Sequence, residues 1–341
     1  MLAKLAVCVG ALALATHAWA QTGPVPATSA QARPAEAVNL QAVTVTGEQP
    51  GPPLWEVRSG GHVMWVIGTI SPLPKHAQWQ WHELEHALGQ STELLEAPSA
   101  RLRMPGSLFS RLALQPNARL NPGGASLQRL LPPDMYARWQ ALKRQYLDND
   151  EALDFTRPIV AAEALYDKAL SANDLSDDTD VAAMVEKLAH RHGTRLIDAR
   201  YELVISRAPG QLNSAEQEQA EGIACLDETM RLVESQLPQL AARANAWSTG
   251  DMKTLQSLMQ GTHYDPCVVT AINGDFEHQL NIPDLPARIE DAWIAAAKDA
   301  LIRNRHSVAI LSMEQVMAPD GYLAKLRSMG YVVRPPESLQ P

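Results

Sequence analysis

Strand-forming segments stand at both ends of this chain and helix-forming ones fill most of the stretch between, so a compact fold must bring sequence-distant ends into one sheet. Leu54–Arg58 (LWEVR) alternates apolar and polar residues, Ser59-Gly60-Gly61 supplies a turn, and His62–Ile70 is rich in strand formers. That combination predicts a hairpin. Ser71–Pro74 (SPLP) interrupts the second strand and leads into a predicted helix from about His76 to Gln90. Thr92–Glu96 (TELLE) then reads as a short buried strand ending on an acid, and strand, helix and strand at this spacing are βαβ-like. At the other end, Ser307–Leu311 reads as a strand, Pro319–Met329 as a helix closed by Gly330, and Tyr331–Val333 as a last strand. The expected class is α/β: a mixed sheet built from N- and C-terminal segments with a large helical insert.

Within the insert, Pro132-Pro133 opens a helix over Asp134–Tyr146, with Met135, Trp139 and Leu142 at helical spacing. Further helices are expected over Pro158–Leu170, over Asp180–His192 stopped by Gly193, and from a capping box at Ser214 (SAEQ) to about Val233. Leu237–Trp247, Asp251–Met259 and Pro286–Arg303 complete the helical set, and Thr194–Asp198 (TRLID) is a candidate strand. Separating the halves would leave each sheet fragment uncovered, so residues 54–341 are expected to form a single domain.

Met1–Ala20 has a basic start at Lys4, a short apolar core over Leu5–Ala15 and a small-x-small pattern at Ala18-Trp19-Ala20. This is the pattern of a signal peptide, and it predicts a protein exported to the periplasm or secreted. The apolar run is too short to span a bilayer comfortably, so no transmembrane anchor is expected after cleavage. Val7 is bulkier than the residue a lipidation motif places before its cysteine, so Cys8 is not read as a lipid site. Residues 21–53, rich in Pro, Ala, Gln and Thr, cannot offset their ordering entropy and are expected to be a disordered linker, with folded structure starting at Leu54. Only Gln41–Thr46 shows brief strand alternation there. Cys225 and Cys267 remain as an even pair in an oxidising compartment, which favours a disulfide over two free thiols. Such a bridge would close a loop of roughly 43 residues and contribute on the order of 4 kcal/mol. With 29 Lys+Arg against 38 Asp+Glu, a net charge of −9 and no basic stripe, nucleic acid is not an expected partner.

Two constellations invite a chemical reading. His82–His86 spells H-E-x-x-H on a predicted helix, where residues four apart share a face, so His82 and His86 could grip one Zn²⁺ with Glu83 as general base. Thr92 stands where a third ligand would be needed, and the opposing reading is a solvated face beside Trp79 and Trp81 packing inward. Ser71 could serve as a nucleophile, but no Gly-x-Ser-x-Gly elbow surrounds it, and a serine before Pro72 fits a turn.

Leu54–Val57, Trp65–Ile70 (WVIGTI), Glu93–Glu96 (ELLE), Arg303-Asn304 and Asp320–Val333 follow one another at a spacing that resembles the TraB/GumN family, which includes the metal-dependent TIKI proteases. The resemblance implies a mixed α/β core related to erythromycin-esterase-like and ChaN-like proteins. It also implies a Gly-x-x-His motif where this chain has Gly68-Thr69-Ile70-Ser71, and a second one near Leu311–Val316, which holds neither Gly nor His. The acid after the first helix does match, as Glu96. By this resemblance Glu96 and Ser71 are the candidate catalytic residues, expected together at one edge of the sheet. Gly68, Arg303 and Asn304 are candidates for ligand binding, Arg303-Asn304 by anchoring a carboxylate or phosphate. An equally open reading has Arg303-Asn304 cap its helix and bond Glu96 or a loop carbonyl. A serine hydroxyl is a poor transition-metal ligand compared with imidazole, so no cofactor is expected. An active protein would use a divalent metal (Zn, Mn or Co). The resulting expectation is a binding or accessory protein of the cell envelope with a degenerate metallohydrolase site and an unknown periplasmic ligand or protein as partner. The alternative is a metal-dependent peptidase using His82/Glu83/His86 or the Ser71/Glu96 pocket.

Overall fold

A computed structural model describes residues 43–103, 119–204, 215–259 and 284–340. The strands are β1 (Gly47–Gln49), β2 (Trp55–Ser59), β3 (His62–Thr69), β4 (Leu73–Pro74), β5 (Ala77–Trp79), β6 (Glu93–Leu95), β7 (Ala100–Arg103), β8 (Leu175–Ser176), β9 (Arg195–Ile197), β10 (Tyr201–Val204), β11 (His306–Ser312) and β12 (Val332–Arg334). The helices are α1 (His82–Gln90), α2 (Leu127–Leu130), α3 (Pro133–Tyr146), α4 (Pro158–Ala172), α5 (Val181–His192), α6 (Ala215–Ser235), α7 (Leu237–Ser248), α8 (Met252–Met259), α9 (Leu285–Arg303), α10 (Met313–Met317) and α11 (Tyr322–Ser328). The expectations for Met1–Ala20, Ser214 and Cys267 fall outside the described residues. Cys225 is buried on α6.

The fold is α/β. Its main sheet has the order β12-β2-β3-β11-β6-β9, so the C-terminal strand β11 sits between two N-terminal ones. Strands β3, β11, β6 and β9 are mutually parallel, and only β2 runs against the rest. The expected hairpin is present, with Ser59 opposite His62 and Gly60 at φ +57° in the two-residue turn. Central strands β6 and β11 are buried on both faces, as a sheet covered by helices requires. Helix α1 packs on β11 and α5, while α9 packs on β2, β3, β6 and β11. Helix α1 carries the chain from β3 towards β6 and α11 carries it the other way to β12, and right-handed crossovers place those two helices on opposite faces. A second hydrophobic cluster, built on Trp139, Leu165, Met230 and Leu240, holds the helical insert together.

Three expectations need correction. Ordered structure begins by Val43, not Leu54: Val45 N donates to Asn245 Oδ1 at 2.8 Å, Asn245 Nδ2 donates to Val43 O at 2.7 Å, and Gly51 N donates to Ser248 O at 2.9 Å. The last part of the expected disordered linker is therefore fastened to α7, and contacts from distant sequence supply the order its composition lacks. The helix expected from His76 starts only at His82, because Ala77–Trp79 pairs in parallel with Gly47–Gln49 and the Trp79 ring packs edge-on against Trp247 at 5.4 Å. The helix expected over Pro319–Met329 is shorter, Tyr322–Ser328, since the chain turns at Ala318–Gly321 after α10.

Candidate functional site

Parallel strands deliver their carboxyl ends to one edge, where open α/β sheets place ligands at the point where connections diverge. Here that point lies between β3 and β11, with Leu311 opposite Gly68 and Ser312 opposite Thr69. Ser71 follows the end of β3, Glu96 the end of β6 and Asp198 the end of β9, so Ser71 and Glu96 do share the expected edge.

What stands against Gly68 is the chain itself. A Cβ at Gly68 would lie 2.7 Å from both Sδ and Cε of Met313, and Gly68 O accepts the Trp247 Nε1–H at 2.7 Å. Met313 and Trp247 are fully buried. The missing side chain at Gly68 thus admits Met313, which stands in the stretch where the second histidine motif was sought, while Trp247 is tied to the Gly68 carbonyl. Ser312 caps α10 through a reciprocal bond with Gln315. Ser71 is exposed, and among the described residues no imidazole or carboxylate bonds its hydroxyl.

The acidic part of the edge is internally paired. Arg200 grips Asp198 with Nε and one terminal nitrogen, both at 2.7 Å, and the same terminal nitrogen lies 3.8 Å from Glu96 Oε2. Arg101 adds a contact to Asp198 at 3.0 Å. The Arg200 hydrogen bond is the main cause that pushes the Asp198 carboxyl down to about 2. Glu186 on α5 is pushed up, first by burial and then by the facing Glu96 and Asp180.

The donor set does not fit a borderline transition metal. It consists of an exposed hydroxyl, a carboxylate already facing a guanidinium, and a buried thioether packed on backbone, with no imidazole among them. Among the described residues no group of three or more His, Cys, Asp or Glu is placed to hold a metal ion. The H-E-x-x-H segment does fall on a helix, α1, but His82, Glu83 and His86 are exposed, and His86 Nε2 lies 2.6 Å from Gln90 Nε2. His82 and Glu83 line a cleft of about 790 Å³ that also touches Pro50, Glu56, Trp81 and Arg334; Ser71 and Glu96 are not on its wall.

Arg303 and Asn304 do not join this site. They precede β11 and so lie at the opposite, amino-terminal edge, where their partner is Glu93 and not Glu96. Asn304 Nδ2 donates to Glu93 at 2.6 Å, Arg303 at 3.2 Å, and Arg195 at the start of β9 donates as well. Thr92 donates to Asn304 Oδ1 at 2.7 Å, and His62 Nδ1 lies 2.7 Å from Asn304 O. Burial pushes the Glu93 carboxyl up, but the bonds from Asn304, Arg195 and Arg303 outweigh it and hold the group below the ordinary glutamate value. Arg303 and Asn304 thus bond Glu93, three residues before the acid that the capping reading named.

Sequence reasoning missed Glu93, Asp198, Arg200, Met313 and Trp247. Asp198 closes and Arg200 follows the strand predicted over Thr194–Asp198, and both carried a readable signal, since the end of a parallel strand is where such residues matter. Trp247 carried none, being 179 residues from the carbonyl it bonds.

Residues 53–335 match the model of the TraB/PrgY/gumN family, which covers most of the chain and includes the sheet, the helical insert and both edges described above. No curated protein and no solved structure matches the chain. On the strength of that match and the mixed α/β sheet, the chain belongs to the TraB/PrgY/gumN family.

Proposed function

We propose that this chain is an exported binding or accessory protein of the cell envelope, whose sheet edge no longer carries metallohydrolase chemistry. The observation that supports this reading is the burial of Met313 and Trp247 against Gly68, with Ser71 where an imidazole ligand would stand. A nucleophile or metal-bound water at that edge would need a general base, and the candidate carboxylate, Glu96, faces Arg200. The test is hydrolysis of protein and peptide substrates by the mature protein, with and without added Mn²⁺. Wild type is expected to be no faster than Glu96→Ala or Ser71→Ala. Turnover that falls about 100-fold or more in Glu96→Ala, as removal of a general acid or base would cause, would overturn the reading.

Export rests on Met1–Ala20, and it brings the cysteine pair with it. Peptide mapping of the mature protein without reduction is expected to find Gln21 as the first residue and Cys225 linked to Cys267. A retained Met1 would contradict export, and two alkylatable thiols would contradict the bridge. Among the described residues no helix is long and apolar enough to cross a membrane.

A further inference from the structure

We propose that the amino-terminal edge of the sheet, opposite the candidate site, docks on an anionic lipid surface. This goes beyond the reading above, which leaves the partner open, and it stands whether or not the carboxyl edge holds a metal. The register lines up Val332, Arg58, Val63 and His306 in one row across β12, β2, β3 and β11. One residue further in, Ser307, Glu93 and Arg195 carry the line on to β9. At ordinary strand spacing this edge is about 24 Å wide. Helices α9 and α11 both end here, because each leads directly into a parallel strand, and their ends bring Ile302, Arg303, Arg327 and Met329 to the same edge, with Arg305 just after α9.

The edge is cationic although the chain as a whole carries a net charge of −9. Arg195, Arg303, Arg305 and Arg327 are all exposed there. The carboxylates on the same strand and helix ends are Glu93, buried and already bonded, and Asp299, 3.7 Å from Arg303. Among the described residues no carboxylate pairs with Arg305 or Arg327. The same edge is also apolar at its tips. Of the four large apolar side chains more than half exposed among the described residues, three stand here: Ile302, Met329 and Val332. Cations alone would suit any polyanion, but a nucleic-acid backbone offers nothing to aliphatic tips. A lipid surface takes both, drawing the guanidinium groups to its phosphates and the aliphatic tips to its acyl boundary. A second copy is the poorer occupant, because an isologous contact would set these permanent charges against their own duplicates.

The experiment floats the full mature protein with vesicles of equimolar phosphatidylglycerol and phosphatidylethanolamine, and separately with vesicles of phosphatidylcholine alone. Wild type is expected to float with the first and not with the second. Arg305→Gln/Arg327→Gln is expected to bind the anionic vesicles about thirtyfold more weakly, while Arg305→Lys/Arg327→Lys keeps most of the binding. Ile302→Ser/Met329→Ser is expected to bind about tenfold more weakly or worse. All four side chains are exposed, so both losses should come with an unchanged circular dichroism spectrum and thermal midpoint. Absence of flotation by wild type, or equal flotation with both vesicle types, overturns the inference. A loss confined to the charge variant would mark an acidic macromolecule read by charge and overturns the lipid assignment. A solution dimer split by Ile302→Ser/Met329→Ser, with no flotation, would give the edge to a second copy and overturns it too. Glu96→Ala, on the opposite edge, should float as wild type, so hydrolysis found there would strike the earlier reading and leave this one standing.

Discussion

Gly321→Ala is expected to cost about 3 kcal/mol or more of stability, the upper range for overpacking a tight site. A Cβ at this position would stand 2.4 Å from Gln315 O, 3.0 Å from the Ala318 Cβ and 3.2 Å from Ala318 O. None of these atoms is the end of a flexible side chain, so relief requires moving α10 or the turn that follows it. Gly321 also donates its N–H to Ala318 O at 3.0 Å, which holds the two segments close. Its backbone, at φ −72° and ψ −177°, is open to any residue, so the cost is one of space and not of conformation. Gly61→Ala is the matched control: nothing lies within 4 Å of a Cβ there, and the change should stay within about 0.5 kcal/mol. Urea denaturation compares the two. Equal midpoints would show that α10 and α11 yield easily, and that the turn does not set where α11 begins.

Asn304→Ala is expected to cost about 1.5–3 kcal/mol, the range for losing a hydrogen bond to a charged group, while Arg195→Ala costs less than about 1 kcal/mol. The ranking runs against formal charge. Glu93 is 2% exposed, but Arg195 is 69% exposed and Arg303 47%, so solvent screens both arginines and replaces their bonds when they are removed. The Asn304 side chain instead joins the buried Glu93 carboxylate to Thr92, and both bonds are lost in Asn304→Ala, whereas the contact of His62 with the Asn304 backbone carbonyl is kept. Because the Glu93 carboxyl is held low in the folded state, the unfolded chain takes up the proton first as pH falls. The stabilisation is complete above the ordinary glutamate value, about 4.3, and is lost as pH drops through the lower folded value. Wild-type stability should therefore fall more steeply than that of Glu93→Gln below about pH 4.3. Parallel pH profiles for the two proteins would show that Glu93 is not linked to folding.

The β-rich ends, the hairpin and the long helices could be read before any coordinates, because each follows from local pattern: alternation over Leu54–Arg58, helical spacing of Met135, Trp139 and Leu142, and Gly193 as a stop. The insertion of β11 between β3 and β6 could not, since strand order is a property of the whole chain. Short pairs such as β1 with β5 escaped for the same reason. Gly47–Gln49 has no strand propensity of its own and becomes a strand only through its neighbour. At the site, the shared edge of Ser71 and Glu96 followed from parallel βαβ logic. The separation of Arg303-Asn304 from that edge was available from the same logic, because residues that precede a parallel strand lie opposite those that follow one. The filling of the edge by Met313 and Trp247 was beyond sequence reach, since it depends on a close approach to Gly68 from a helix far away in the chain.

Isothermal titration of Zn²⁺ and Mn²⁺ into chelator-stripped mature protein, purified without a histidine tag, tests most directly the proposal that the sheet edge holds no catalytic metal. The expected result is no binding at micromolar affinity or better. Stoichiometric uptake of one ion with micromolar or tighter affinity, abolished by Glu96→Ala and untouched by His82→Ala, would contradict it.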